Sequence, residues 1–262
     1  MSVPQGKTFK LADLFPVAEH QIENNVIFTT ENGDVRAVSL GAGADAAPRR
    51  HGRGHLALGI DGQVRIARAG KEKDAPERPA ITKDDVDLAV AEGADVRRVE
   101  SADDLADDEP KTVPEKDFGR LGQGMAFVTA PGQDMGISAE HRSLFVTVPL
   151  PEDVQLHGGL HLNKRAVLAD LIDYRDGEVA REAVLDGTGV KLMLLAFDYE
   201  QQLAAHTAGA DALFLVLEGE ATVEYEGRAH TVHAGEQMVF APDAEHAVSC
   251  ERRCKVALLR VE

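Results

Sequence analysis

Residues Leu203–His246, LAAHTAGADALFLVLEGEATVEYEGRAHTVHAGEQMVFAPDAEH, contain short strand patterns separated by turn residues. Ala212–Leu217 is an apolar run that leads into the turn Glu218-Gly219-Glu220, and the residues after this turn alternate between apolar and polar side chains. Gly227 and Gly235 punctuate the rest of the stretch. Short strands with turn residues every eight to twelve or so positions are typical of antiparallel sandwiches and barrels. The stretch therefore predicts an all-β fold.

Composition narrows the class of protein. The chain has 262 residues, enough for one large or two ordinary domains, and 44% of them are hydrophobic. Its net charge of −17, from 28 Lys and Arg against 45 Asp and Glu, argues against nucleic acid or an anionic membrane as a partner, because both bind basic surfaces. No apolar segment resembles a signal peptide or a membrane span. We therefore expect an acidic cytoplasmic protein whose two cysteines are free thiols.

The chain contains an internal repeat. Leu11-Ala12-Asp13-Leu14 recurs as Leu168–Leu171, an offset of 168 − 11 = 157 that holds without a gap from about residue 7 to residue 66. Further on, GQGMAF from Gly122 matches GEQMVF from Gly235, an offset of 235 − 122 = 113. The two offsets differ by 157 − 113 = 44, so the first copy carries an insertion of that length. We interpret this pattern as a tandem duplication.

The repeat predicts the domain boundaries. We assign residues 1–150 to an N-terminal barrel, 151–164 to a linker and 165–262 to a C-terminal barrel. The insertion, at about 70–117, is rich in charged residues and proline. It is expected to form one or two short helices on an acidic surface excursion, or a lid or dimer arm over a barrel mouth.

The motifs in the stretch from Leu203 resemble those of the cupin family. That family's first motif is Gly, five residues, His-x-His, three or four residues, Glu, six residues, Gly, and its second begins with Gly and contains a further His. Gly219 closes the first motif and His206 takes its first His position, while Gly235 and His246 match the second motif. The resemblance implies two jelly-roll barrels in tandem, the second similar to the small cupins with a conserved-barrel domain.

The resemblance also implies a divalent transition metal held by three imidazoles and one carboxylate. In the second copy only His206 and His246 remain, because the other two positions are Ala208 and Ala212. Asp211 is adjacent, but a shift of one residue turns a side chain to the opposite face of a strand unless a bulge intervenes. We take His206 and His246 as candidate metal ligands and add Asp211 to the pocket.

The first copy has a different set of candidate pocket residues. At the same offsets its four positions hold Arg49, His51, His55 and Gln133. A competing alignment would instead place His141 opposite His246, but it breaks the matches of the final strands. Adjacent arginines repel a cation and guanidinium groups match carboxylates and phosphates, so an anion pocket is one interpretation. The other is a degenerate copy whose arginines face solvent or pair with the insertion.

Two functions fit these residues. In the first, the C-terminal barrel binds a small molecule, with metal weak or absent, as a sensor or carrier. In the alternative, the protein is a metal-dependent enzyme (a dioxygenase, an isomerase or an enzyme that modifies a sugar or small acid). That enzyme would use His206 and His246 as ligands or as an acid–base pair. A homodimer, common in the family, is compatible with either function. The arrangement of the four positions in the second copy decides between them.

Overall fold

A computed structural model describes residues 3–68 and 116–262 of the chain. In these residues the fold is all-β, as predicted: two jelly-roll barrels follow one another along the chain. The helices predicted for the insertion fall outside the described residues. No helix in the described ranges is long and apolar enough to cross a membrane.

In the described residues, the first copy has nine strands after a single helical turn α1 (Leu11–Leu14). They are β1 (Ile22–Thr30), β2 (Gly33–Leu40), β3 (Ala44–Arg50), β4 (His55–Asp61), β5 (Gln63–Arg68), β6 (Lys116–Gly122), β7 (Met125–Thr129), β8 (Asp134–Ala139) and β9 (Ser143–Pro149). They form two antiparallel sheets, ordered β3-β8-β5-β6 and β1-β2-β9-β4-β7, and the second sheet gains a sixth strand, β11 (Arg165–Val167).

The second copy repeats this arrangement after a short 3-10 turn at Leu168–Leu171. Its strands are β10 (Gln155–Leu156), β12 (Val179–Gly187), β13 (Val190–Phe197), β14 (Gln201–His206), β15 (Asp211–Glu218), β16 (Glu220–Tyr225), β17 (Arg228–His233), β18 (Gln237–Phe240), β19 (His246–Cys250) and β20 (Cys254–Val261). They form the sheets β10-β12-β13-β20-β15-β18 and β14-β19-β16-β17.

The element bounds confirm the first repeat offset and correct the second. α1 and the 3-10 turn differ by 157 at both ends, as do β2 and β13. In the later strands, however, Arg49 pairs with Met135 where His206 pairs with His246, an offset of 246 − 135 = 111 rather than 113. Residues two apart on a strand share a face, so the apolar pattern alone cannot distinguish these two registers.

Each six-stranded sheet is apolar on both faces. On β15, Leu213 and Leu215 pack into a core that lies between the two barrels, whereas Phe214 and Val216 point into the second barrel. On β4, Leu56 and Leu58 join the same shared core, and Ala57 points into the first barrel. Continuous apolar runs are typical of strands that are buried on both faces. The repeat therefore builds three cores: one inside each barrel and one between them.

The segment before each barrel lies on the other barrel. Phe9 and Gln237 exchange backbone hydrogen bonds of 3.0 and 2.9 Å, and the buried side-chain oxygen of Gln237 accepts the N–H of Leu11 at 2.8 Å. In return, β11 pairs with β7 of the first barrel. The predicted boundary at residue 165 thus falls at a strand that completes the first sheet, and the domain limits given above stay a prediction.

The expectation of free thiols is wrong, because Cys250 and Cys254 form a disulfide. The two residues end β19 and begin β20, on either side of the turn at 251–253. This turn brings their Cα atoms to 6.4 Å, within the range that a disulfide spans. The expectation of free thiols rested on the predicted cytoplasmic location and not on the geometry of this turn. The cytoplasmic location itself stays a prediction.

Candidate functional site

A large open cavity lies inside the first barrel. Its volume is about 720 Å³. The floor is apolar and buried, and includes Val64, Ile66, Leu121 and Phe127. Polar side chains that are partly or fully exposed line the rest, among them Asn24, Asp34, Arg36, Arg49, His51, His55, Thr129 and Thr147. The cavity therefore offers an apolar end and a polar end to a bound molecule.

Two small residues explain why this barrel is hollow. Ala57 of the first barrel occupies the place of Phe214 in the second, at the offset of 157. Thr129 pairs with the start of β4 as Phe240 pairs with the start of β15, so these two residues also correspond. In the second barrel the rings of Phe214 and Phe240 lie 5.4 Å apart and fill the interior. At the offset of 157 the sequence shows the first of these changes, but the offset of 113 places Thr129 opposite Pro242 and hides the second.

Of the three arginines around His51, which are Arg49, Arg50 and Arg53, only Arg49 lines the cavity. Arg49 lies directly opposite Met135, a buried residue that lines the cavity, and opposite residues of an antiparallel pair share a face. Arg50 instead forms an ion pair with Asp134 at 3.3 Å, and Arg53 donates to the carbonyl of Asn32 at 3.1 Å. Within residues 3–68 and 116–262, no carboxylate pairs with Arg49.

The two imidazoles of the first barrel lie side by side. The ring centroids of His51 and His55 are 4.8 Å apart. Burial and, secondarily, the neighbouring His51 lower the pKa of His55, against a hydrogen bond to the carbonyl of Arg53 that raises it. His55 is therefore neutral at pH 7. A carbonyl only accepts, so the Nδ1 of His55 donates the 3.2 Å bond to Arg53 and its Nε2 is left as an acceptor.

Arg36 and Asp34 were missed by the sequence analysis. Both line the cavity from β2, and they form an ion pair with a distance of 2.5 Å, so their charges offset each other. They lie outside the motif-containing segment, which explains why motif spacing did not reveal them. The sequence does contain a signal for Arg36: at the offset of 157 the second copy has the apolar Met193 where the first has this charged residue.

Gln133 does not take the position predicted for it. The residue opposite His246 is Met135, because the register differs by two residues from the sequence alignment. Gln133 is not among the residues that line the cavity. Its side-chain oxygen is buried and has no hydrogen-bond partner in the part of the chain that the structure describes.

In the second barrel the structure does bring His206 and His246 together. They are direct cross-strand partners, and their ring centroids are 4.5 Å apart. Their Nδ1 atoms lie 2.9 and 3.0 Å from the carbonyls of Ala204 and Ala244, so Nδ1 donates in each ring and Nε2 is the nitrogen left for other partners. His206 is exposed, whereas His246 is buried and stacked on Phe240.

Asp211 and Arg260 show what surrounds this histidine pair. Asp211 lies opposite Val261, which faces the core between the barrels, so its carboxylate points away from the histidines. Ala212 lies opposite Arg260, which therefore shares the inward face. Arg260 donates from Nη2 to the carbonyl of Ala208 at 2.9 Å. A guanidinium thus adjoins both positions from which the expected ligands are missing.

These residues do not fit a divalent metal. The second barrel offers two imidazoles beside the cationic Arg260, and the first offers two imidazoles beside Arg49. In the described ranges, no group of three His, Cys, Asp or Glu side chains is placed to hold a metal ion. A cation placed at either pair would be repelled by the neighbouring guanidinium. The prediction of a metal bound by His206 and His246 therefore has no supporting geometry in the described part of the chain.

The burial of His246 predicts a pH-dependent stability. Desolvation lowers its pKa, with the neighbouring His206 acting in the same direction and a hydrogen bond to Ala244 opposing. Below about pH 6.5 the unfolded chain binds a proton that the folded chain does not, so the free energy of unfolding falls as the pH drops. We expect His246→Gln to flatten this fall in urea unfolding between pH 7.5 and pH 5, roughly the range around that value.

His55 contributes in the same direction, so the flattening is partial. The matched control is His157→Gln, because His157 is exposed in a loop. If the free energy of unfolding fell equally with pH in the wild type and in His246→Gln, a lowered pKa of His246 would be contradicted.

The fold and these sites define an all-β protein of two jelly-roll barrels, one hollow with a polar rim and one filled. Residues 196–261 match the family model for the cupin domain. No curated protein sequence matches the chain.

Solved structures extend the likeness to the whole chain. The chain is similar in fold to a cupin 2 conserved barrel domain protein from Leptotrichia buccalis, with a TM-score of 0.70 and 16% identity over 99% of this chain and 98% of that one. It also resembles a salicylate 1,2-dioxygenase from Pseudaminobacter salicylatoxidans, with a TM-score of 0.55 and 11% identity over 97% of this chain and 83% of that one. At these identities the comparison concerns the fold, and it confirms the two-barrel cupin architecture.

Proposed function

We propose that the protein binds a small, largely apolar molecule inside the first barrel. The observation that supports this most directly is the cavity of about 720 Å³, a volume typical of small-molecule sites, with an apolar floor and a few polar groups at one end. The sequence analysis placed the ligand in the C-terminal barrel. That location is not supported by the packing, because Phe214, Tyr225 and Phe240 fill the interior there.

Filling the cavity tests this proposal. Ala57→Phe places in the first barrel the side chain that the second barrel carries at Phe214, so the fold has a precedent for it. We expect the variant to bind the neutral fluorescent dye N-phenyl-1-naphthylamine at least about tenfold more weakly than the wild type, since the ring occupies the apolar floor. The chain contains no Trp, which leaves the dye signal free of strong intrinsic emission.

The matched control adds the same ring elsewhere. Ala229 is exposed on β17, so Ala229→Phe should leave dye binding unchanged. If the wild type takes up no dye, or if both variants bind it like the wild type, the first barrel is not the binding site.

A second candidate function rests on the histidine pair of the second barrel. One imidazole is exposed and one is buried with a lowered pKa, an arrangement suited to passing a proton between two Nε2 atoms near neutral pH. Such chemistry needs no metal. His206→Ala would abolish turnover of a substrate in that barrel and leave dye binding in the first barrel intact, which separates the two functions.

A further inference from the structure

We infer that the ligand of the first barrel is an apolar monocarboxylate whose carboxylate pairs with Arg49. This inference rests on the proposed function, because it concerns the same cavity. Its basis is the placement of Arg49, which has no paired carboxylate among the described residues, at the polar end of a cavity whose floor is apolar.

Arg36 and Arg50 have carboxylate partners, whereas Arg49 has none among the described residues and can bind an anion. Arg36 is neutralised by Asp34 at 2.5 Å, and Arg50 is paired with Asp134 outside the barrel. Asp45 also borders the cavity, but its neighbour Ala44 is the buried residue that faces inward, so the Asp45 carboxylate is directed to the other side of the strand. Among the described residues, the charge of Arg49 is thus uncompensated.

The burial of His55 limits the positive charge that faces a bound molecule. His55 is neutral at pH 7 because burial lowers its pKa, and its Nε2 is then an acceptor that cannot donate to an anion. Arg49 is therefore the cavity-lining guanidinium that has no paired carboxylate among the described residues. A planar carboxylate carries one charge and accepts two parallel N–H bonds from a guanidinium, whereas a phosphate monoester carries nearly two charges. The balance of charge favours the carboxylate.

The apolar part of the ligand has a defined place. Ile66 and Leu121 are 3% and 1% exposed and lie in the floor, whereas Arg49 and His51 are exposed. A chain or ring that extends inward from the carboxylate loses its contact with water against this floor. A sugar that reached this floor would bury hydroxyl groups without partners there, so the site favours an amphiphilic acid.

The experiment compares octanoate with octanamide as competitors of the neutral dye. The two molecules have nearly the same shape and differ in charge. We expect octanoate to displace the dye about ten to a hundred times more effectively from the wild type, because a charge-assisted pair is lost with the amide. Arg49→Gln should remove this preference, and the control Arg50→Gln should retain it. Thermal unfolding of both variants confirms that they are folded.

The outcomes separate the inference from the proposed function. Equal displacement of the dye by octanoate and octanamide in the wild type would overturn the inference. If Ala57→Phe then no longer bound either molecule, the result would still support a ligand in the cavity. Tighter binding of octyl phosphate than of octanoate would overturn the assignment of a monoanion. Failure of the wild type to bind the dye or either competitor would overturn the proposed function and the inference with it.

Discussion

Phe214→Ala is expected to lower the free energy of unfolding by about 3–5 kcal/mol. The side chain of Phe214 is 1% exposed, and its ring packs 5.4 Å from that of Phe240 in the core of the second barrel. Alanine at position 214 would correspond to Ala57 of the first barrel. It would leave a cavity, because the hydrogen-bonded sheets on either side cannot close the space of the ring. Urea unfolding followed by circular dichroism measures the change.

The control for this variant is Leu162→Ala, because Leu162 is 50% exposed and its truncation should change the free energy of unfolding by no more than about 0.5 kcal/mol. A loss below about 1 kcal/mol for Phe214→Ala would mean that the second barrel is not tightly packed around this ring. The variant should also gain a binding site for the neutral dye, which would connect the packing of each barrel directly to its capacity for ligands.

The second large effect concerns the second barrel's missing metal ligands. A variant with Ala208→His, Ala212→Glu and Arg260→Leu is expected to bind Co²⁺ about a thousandfold more tightly than the wild type. The first two changes supply the imidazole and the carboxylate that the family motif contains. The third removes a cation that would repel a unit charge about 4 Å away by about 4 kcal/mol, at an effective dielectric constant near 20. Visible absorption of Co²⁺ during a titration measures the affinity.

The decisive control keeps the arginine. The double variant Ala208→His with Ala212→Glu should bind Co²⁺ more weakly than the triple variant, because Arg260 lies opposite position 212 and would pair with the new carboxylate. Equal affinities for the double and triple variants would show that Arg260 is not the obstacle. In that case the absence of two ligands alone would account for the poor fit of this barrel to a divalent metal.

The sequence predicted the fold well because periodic patterns record which face of a strand is buried. The offset of 157 located five strands of the first barrel from those of the second, and Gly62 and Gly219 both adopt positive φ in equivalent turns. The pattern gave a wrong register where two alignments preserve the same alternation of buried and exposed residues. A slip of two residues preserves the alternation of a strand, so Gln133 was aligned where Met135 lies.

The candidate site was harder to predict because motifs describe ligands and not empty space. His206 and His246 were correctly paired by their spacing. The cavity of the first barrel depends on what is absent, namely the rings that Ala57 and Thr129 replace. Likewise, Arg260 lies beyond both motifs and meets Ala212 only through strand pairing, which a linear pattern does not contain.

The exchange of segments between the two barrels has a consequence for biosynthesis. Phe9 finds its partner Gln237 only after 228 further residues (237 − 9 = 228) have been added to the chain. The sheet of the first barrel likewise remains one strand short until Arg165–Val167 leaves the ribosome. Contacts between residues so distant in sequence slow folding, because the chain must close a long loop before they form. The nascent first barrel therefore exposes the edge of β7 to other chains until synthesis has passed it, a period in which chaperones would have their greatest effect on yield.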